Sequence, residues 1–329
     1  MTPRMAVVGA GSWSTEMHLP AARRVQAEGL ADYVGVADLN PEAARPYAAR
    51  LDAAAFTDAD EMLRKTEPDG VLLLVRQHDM PGLIATMAEL GLPFLCEKPP
   101  APDTQTHRRL IEVGGDLPHV VAYNRRHAPY VQQAKAWLEG VRPHLVLCEM
   151  VRYRRREEDF SGTAVHGIDT ALYLAGEPLA EARIEVAPVE AVNNFFIDGW
   201  TTGGTRVSVL VTPDTGSRQE HYTVRSIDRN VLVAFPMRHM IDCPGYAELH
   251  DDREVAARIT NEDLGVEPDD HPALLGVRAE HERFARIVAG EASSVATLAN
   301  TLQTQQLRER LYQPGISERT RFGWSGTSE

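Results

Sequence analysis

Apolar and polar positions follow two different rhythms along this chain of 329 residues. In the first third, short apolar runs alternate with segments of helical composition. Met5 to Gly9 reads as a strand ending in glycine, and Ala21 to Glu28 has the composition and length of a helix returning across a sheet. Tyr33 to Ala37 predicts a second strand that stops at Asp38. Asn40-Pro41-Glu42 then has the form of a capped helix start with proline in the first turn, and this helix runs to about Leu51. Phe56 to Asp58 predicts a short strand, Ala59 to Lys65 a helix, and Gly70 to Val75 a continuous apolar strand of the kind buried on both faces. Pro81 to Gly91 is again helical and Pro93 to Cys96 again a strand. Strands separated by helices pair in parallel, because a right-handed crossover needs a helix between neighbours. Residues 1 to about 120 therefore predict a doubly wound sheet.

After that point the strands lengthen and the helices thin out. Leu145 to Tyr153, Ala182 to Val189, Thr205 to Thr212 and Glu220 to Val233 predict a mixed or antiparallel sheet. Val207, Val209 and Val211 alternate with Arg206 and Ser208, the period of two expected when one face of a sheet is covered; the other face is available to a second subunit. Helices are expected at Pro129 to Glu139, at Ala164 to Ala175, and from Pro272 to Tyr312 with an interruption near Gly290. Asp251 to Asp270 is acidic enough to predict a mobile loop, and the tail beyond Pro314 is expected to fray. The fold class is thus α/β for residues 1–121, followed over 122–329 by an α+β domain with a large mixed sheet for substrate binding and oligomerisation.

Composition narrows the classes. With 43% hydrophobic and 25% charged residues, and no apolar run near the roughly 20 that a membrane span needs, the chain reads as a soluble protein. The N-terminus shows no charged, apolar and cleavable regions in succession, and the three cysteines are odd in number and far apart. Both features lead to an expectation of reduced thiols and a cytoplasmic location. A net charge of −13 opposes a nucleic-acid surface, which needs clustered cations to displace phosphate counterions. The twelve histidines show no spacing that gathers metal ligands, so no metal is expected, and no nucleophile motif points to covalent catalysis.

The first strand ends in Gly9-Ala-Gly11-Ser12-Trp13-Ser14. A tight turn with bare backbone lets a pyrophosphate approach the N-terminus of the following helix, although Ser14 stands where a third glycine is usual. Asp38, at the end of the second strand, is placed to accept hydrogen bonds from an adenosine ribose. Its charge repels a 2′-phosphate and Leu39 offers no guanidinium, so NAD is expected in preference to NADP. This combination predicts a Rossmann domain.

Over nearly its whole length the chain resembles the glucose-fructose oxidoreductase, inositol dehydrogenase and rhizopine-catabolism (Gfo/Idh/MocA) family. The residues that carry the resemblance are Val8-Gly-Ala-Gly-Ser-Trp-Ser, His18-Leu-Pro-Ala, Val36-Ala-Asp-Leu-Asn-Pro-Glu and Leu95-Cys-Glu-Lys-Pro99. Tyr123-Asn-Arg-Arg126 resembles the segment entering the second domain, and His166-Gly-Ile-Asp169 the start of the active-site helix. The resemblance implies that Lys98 faces both nicotinamide and substrate. It implies further cofactor contacts from Val75, His78 and Glu97, substrate contacts from Tyr123, Arg125, Arg126 and His166, a sugar or inositol dehydrogenase activity, and a homodimer or homotetramer. Two departures stand out. Gly162 occupies the place of an aspartate four residues before the histidine, and Val75-Arg76-Gln77 replaces a Thr-Pro-Asn loop.

Oxidising a secondary alcohol requires a cation to stabilise the developing alkoxide and a base to take the hydroxyl proton. Lys98 and His166 supply those types, and Asp169, three residues on, shares a helix face with His166 and can orient it. Glu97 is expected to position the lysine and Trp13 to pack near the dinucleotide. Arg152 to Arg156 reads as a solvated charged run. The expected activity is hydride transfer between a polyol hydroxyl and NAD. The same residues also fit an NAD-retaining lyase or glycoside hydrolase, motivated by Gly162, and a non-catalytic NAD-binding sensor.

Overall fold

The computed structural model describes residues 2–190, 192–237, 243–312 and 320–324. Two compact units emerge: one runs to His127 and takes back Gly276–Leu302, and the other holds Ala128–Leu275 and the described residues from Gln303 onward. A linear reading that divides at 121/122 does not anticipate that return.

In the first unit, β1 (Arg4–Val8), β2 (Asp32–Ala37), β3 (Ala54–Phe56), β4 (Gly70–Leu73), β5 (Phe94–Cys96) and β6 (His119–Val121) form a sheet in the order β3-β2-β1-β4-β5-β6. All five pairings are parallel. The crossovers are α1 (Leu19–Ala27), α2 (Pro41–Ala49), α3 (Ala59–Thr66), α4 (Met80–Leu90) and α5 (Thr104–Gly114). Capping explains where several begin: Asn40 accepts from the Glu42 N–H at 3.1 Å, Asp58 from Glu61 at 2.7 Å and Asp103 from Thr106 at 2.7 Å. The apolar pattern does not single out α5, because its inward face carries a histidine. Burial lowers the His107 pKa to about 4, and the neutral ring donates through Nε2 to the Leu298 carbonyl at 2.8 Å. The strand order reverses at β1, so the carboxyl ends of β1 and β4 flank a crevice of the kind in which doubly wound sheets bind ligands.

The second unit is built on β7 (Leu145–Tyr153), β8 (Leu179–Val189), β9 (Val192–Thr201), β10 (Arg206–Thr215), β11 (Gln219–Arg225), β12 (Asn230–Ala234), β13 (Tyr246–Asp251), β14 (Glu254–Thr260) and β15 (Thr320–Trp324). Their order is β14-β13-β12-β11-β7-β10-β9-β8-β15, with β7 and β10 parallel and the other pairs antiparallel. α6 (Pro129–Trp137) and α7 (Ser161–Ala175) close one face over Val146, Cys148, Met150, Val207, Val209 and Val211. On the alternate positions Leu147, Val151, Phe196, Leu210 and Leu232 are only half-buried and Trp200 is exposed.

Three expectations are corrected. Glu220 to Val233 is a hairpin of two strands, turned where the Ser226 hydroxyl donates to the Arg229 carbonyl at 2.7 Å. Asp251 to Asp270 is not a loop throughout. It contains β14, and its acidic residues sit where turns need acceptors: Asp263 takes the Thr260 N–H at 2.8 Å and Asp270 caps the turn at His271. Part of the tail, Thr320–Trp324, pairs with β8 as the edge strand of the sheet, whereas residues 313–319 and 325–329 lie outside the described set.

Arg152 departs from the solvated run assigned to it. It is fully buried against Glu220, donates to the Val151 and Gln219 carbonyls at 3.1 Å, and shares Glu220 with the Tyr222 hydroxyl at 2.6 Å. Removing one member of a buried pair strands the other charge, which costs about 3–5 kcal/mol, whereas apolar replacement of both can be neutral. Urea unfolding is therefore expected to show Arg152→Ala destabilised by about that amount, and the Arg152→Met/Glu220→Leu double variant to recover most of it.

Candidate dinucleotide and catalytic site

Gly9 has φ of +103°, and a Cβ there would lie 2.4 Å from the Leu74 carbonyl oxygen, so the residue can be nothing but glycine. Its N–H donates to the Ala37 carbonyl at 2.8 Å, which pins the end of β1 to the end of β2. At Gly11 the space a Cβ would enter is open, leaving bare backbone at the start of the helical segment. Ser14 is buried. Its hydroxyl bonds the Gly9 carbonyl at 2.9 Å and the Tyr47 hydroxyl at 3.1 Å, so the residue in the third glycine position braces the turn from behind. Ser12 and Trp13 are exposed at the turn's outer side.

Asp38 uses both carboxylate oxygens locally: Oδ2 accepts from Ala10 N–H at 2.7 Å and Oδ1 from Asn40 N–H at 2.8 Å. Each oxygen keeps a further lone pair, so these bonds aim the carboxylate without exhausting it. Val75 lies beside Gly9, and His78 is exposed in the turn before α4. Open backbone at Gly11, the helix start behind it and an aimed carboxylate at Asp38 fit the diphosphate and ribose of a dinucleotide.

Glu97 is the most densely bonded side chain of this region. Oε1 accepts from Trp13 Nε1–H at 2.9 Å and lies 2.7 Å from His18 Nε2, while Oε2 accepts from the Lys98 N–H at 2.9 Å. Burial alone would raise its pKa. The His18 hydrogen bond, the His18 and Lys98 charges and the Lys98 N–H outweigh that, and the carboxyl lies below its ordinary range. A second carboxyl, Glu280, follows the opposite course: it is fully buried, neither oxygen has a hydrogen-bond partner among the described residues, and burial together with the Glu97 charge raises its pKa well above normal. His127 Nε2 lies 4.0 Å from its Oε1, and burial, with Arg283 and Arg126 nearby, depresses that imidazole to about 3.

The other expected site residues divide between the units. Tyr123, Arg125 and Arg126 are buried in and beside the 3-10 turn Asn124–His127. Arg126 donates to the Val295 carbonyl at 2.7 Å and to Asn300 Oδ1 at 2.9 Å, a bracing role within the first unit. His166 and Asp169 are buried in the second and third turns of α7, and Asp169 Oδ1 accepts from the Thr304 hydroxyl at 3.1 Å. Helix α7 begins at Ser161, earlier than the expected Ala164, which puts Gly162 in its first turn, one turn before His166, with nothing within 4 Å of where its Cβ would be. His281 and Glu280 were not legible as site residues, since a helix of the C-terminal third returning to the first unit leaves no local signal, and Tyr33 was not because its partner His281 comes from that helix, 248 positions away. Among the described residues no three His, Cys, Asp or Glu side chains gather as a metal site, and no helix is long and apolar enough to cross a membrane.

Residues 3–124 match the family model described as oxidoreductase family, NAD-binding Rossmann fold. The first unit thus carries an NAD-binding Rossmann domain, which over those residues matches that of the Gfo/Idh/MocA oxidoreductases. An inositol 2-dehydrogenase of Corynebacterium glutamicum is 28% identical over 198 residues, which is 55% of this chain and 57% of that protein. The chain is matched to only a little over half the length of its first curated relatives. Among solved structures, a Gfo/Idh/MocA family oxidoreductase from Vibrio cholerae superposes with a TM-score of 0.76 at 20% identity, covering 93% of this chain and 96% of that one. A levoglucosan dehydrogenase in complex with NADH gives 0.77 at 18% identity, covering 94% and 96%. At these identities the two structures establish the fold alone.

Glu280 supplies a pH test. Its folded pKa is raised, so between about pH 4.5 and that value the folded state holds more protons than the unfolded one, and stability falls as pH rises. Glu280→Gln mimics the neutral acid without titrating. Its stability relative to the parent should grow from pH 5 to pH 8, by at most about 1.4 kcal/mol per pH unit, in urea unfolding followed by tryptophan fluorescence.

Proposed function

We propose that this protein is a cytoplasmic NAD-dependent oxidoreductase that transfers a hydride between a ring hydroxyl of a sugar, cyclitol or related polyol and the nicotinamide. The observation that carries the reading is Lys98 following a carboxylate that is itself bonded to Trp13 of the glycine turn. That arrangement ties an ammonium to the segment bearing the dinucleotide. The names of the relatives, inositol 2-dehydrogenase and levoglucosan dehydrogenase, support the polyol class.

When bound, the nicotinamide supplies the hydride acceptor or donor. Lys98 presents a positive charge to the alcohol oxygen and lowers the cost of its deprotonation. His166 takes or returns the hydroxyl proton, and Asp169, held by Thr304, orients the imidazole. Val75, His78 and Glu97 would flank the nicotinamide end, with Tyr123 and Arg125 toward the substrate and Arg126 bracing the turn that carries them. Asp38 excludes a 2′-phosphate by charge repulsion, favouring NAD. The half-buried apolar positions on the open face of the second unit's sheet support assembly into a homodimer or homotetramer.

The measurement is NAD reduction across a panel of inositols and aldoses. Lys98→Ala is expected to lower kcat by about 10²–10⁴-fold with NAD affinity retained, and unchanged turnover would reject the assigned role. Gly162 favours a second reading, an NAD-retaining lyase or glycoside hydrolase, in which product forms without net NADH. Gly162→Asp has room at its Cβ and adds an acid to the first turn of α7, so it is expected to gain about 0.5–1 kcal/mol of stability. If net oxidation is the activity, the same variant should raise kcat by providing His166 with a carboxylate one turn away; a lyase would not gain from it. For the cofactor, Asp38→Ser with Leu39→Arg should move the ratio of kcat/KM values toward NADP by at least about tenfold.

A further inference from the structure

Four side chains of the first unit form one continuous hydrogen-bonded series that the proposed chemistry does not use directly. Tyr33 Oη lies 3.3 Å from His281 Nδ1, His281 Nε2 lies 2.8 Å from His18 Nδ1, and His18 Nε2 lies 2.7 Å from Glu97 Oε1. They come from β2, from the helix Val277–Val288, from the helical turn Ser14–His18 and from the segment after β5. Tyr33, His18 and His281 are all buried.

The direction of the series follows from proton counting. An ionised Glu97 has no proton to give, so His18 Nε2 donates to it. With both imidazoles neutral, His18 Nδ1 then accepts, His281 Nε2 donates, His281 Nδ1 accepts, and the Tyr33 hydroxyl donates. Neither the far end nor the middle yields. Burial raises the Tyr33 phenol above its ordinary range, so it keeps its proton, and burial holds His281 well below the usual imidazole range, so it does not take a second. With Tyr33 and His281 each keeping a fixed proton count, the hydrogen bonds of the series hold its members in place.

We propose that His18 and His281 are positioning residues that hold the Glu97 carboxylate in register between Trp13 of the dinucleotide turn and the backbone of Lys98. Trp13 and His18 share one oxygen of Glu97 and the Lys98 N–H takes the other, so movement of either imidazole displaces the turn and the lysine together. This role rests on the assignment of that turn and Lys98 to the proposed site. Glu280, beside His281 in sequence, is kept neutral and does not compete for His18; Arg278 and Glu282 on the same helix pair with each other at 2.8 Å.

The test uses full-length protein with 15N-labelled histidine, comparing long-range 1H–15N correlations at pH 8 with NAD affinity by calorimetry. Both His18 and His281, assigned from His18→Gln and His281→Gln, are expected as Nε2–H tautomers. His18→Leu should release His281 into a mixture of tautomers and weaken NAD binding at least about tenfold, while His18→Gln, whose amide can donate to Glu97 and accept from His281, should restore affinity to within about threefold. An Nδ1–H tautomer at either residue, or His18→Leu binding NAD as the parent does, overturns the proposal. Should His18→Leu fail to fold, Tyr33→Phe replaces it, with the same loss of a single His281 tautomer expected. Absence of NAD binding by the parent protein would remove the functional reading, and the tautomers would then decide the positioning lock alone.

Discussion

The close approach of two backbones at Gly9 is the constraint on which the first unit depends. Its N–H reaches back to β2 through Ala37 while its α-carbon rests against the Leu74 carbonyl after β4, so the chain leaving β1 is gripped from both sides of the point where strand order reverses. A side chain here would force β4 away from β1 and open the crevice from which the helical segment Ser14–His18 departs. The Ala10 N–H adds a third tie, to Asp38, so the turn is preorganised by the strands before any ligand arrives. Ser14 completes the arrangement from inside. A hydroxyl bonded to the Gly9 carbonyl does locally what a third glycine does by allowing close packing.

Two acidic side chains share the interior behind this turn and cannot both be charged at ordinary cost. Geometry decides between them. Glu97 has an indole N–H, an imidazole and a backbone N–H directed at its oxygens, which together replace the water it has lost. Glu280 has none of these among the described residues, and His127, which pairs with it at 4.0 Å, is itself held neutral. The charge therefore resides on the carboxylate beside Lys98. Keeping Glu280 uncharged is part of the same electrostatic solution, because a second anion would raise Glu97 and loosen its hold on the turn.

Much of this was legible in the sequence where the signal is local. The alternation of apolar strands with capped helices, the glycine turn with Asp38 and the Glu97-Lys98-Pro99 segment all depend on residues within one β-α unit, and the alternation marks the parallel sheet correctly. The misses have physical reasons. α5 escaped because His107, polar in sequence, is a neutral core residue once buried. β9 escaped because Asn193, Asn194, Asp198 and Gly199 dilute its apolar positions while Phe195 and Ile197 still face the core. Arg152 looked like one member of a solvated run because its partner Glu220 lies 68 positions away, on the neighbouring strand β11. Period and composition report which face a residue occupies; they do not report a partner brought from a distant strand.

The helix Val277–Val288 makes the same point with more consequence. It follows the whole second unit in sequence, yet it delivers His281 to His18 across 263 positions and Glu280 to His127 across 153. The Rossmann sheet therefore cannot complete its polar interior until the chain has passed through the second unit and returned. Residues 3–124, the stretch that matches the Rossmann family model, contain Trp13, His18 and Lys98, which hold Glu97, but neither His281, which bonds His18, nor Glu280. A fragment ending at His127 would keep the turn, Asp38 and Lys98 while leaving His18 with a ring nitrogen that has lost its partner in a partly opened core. The return of the C-terminal third thus completes the hydrogen bonding behind the site as well as its packing, with Phe284, Ala285 and Ile287 of the same helix closing the core against Met5 and Val7.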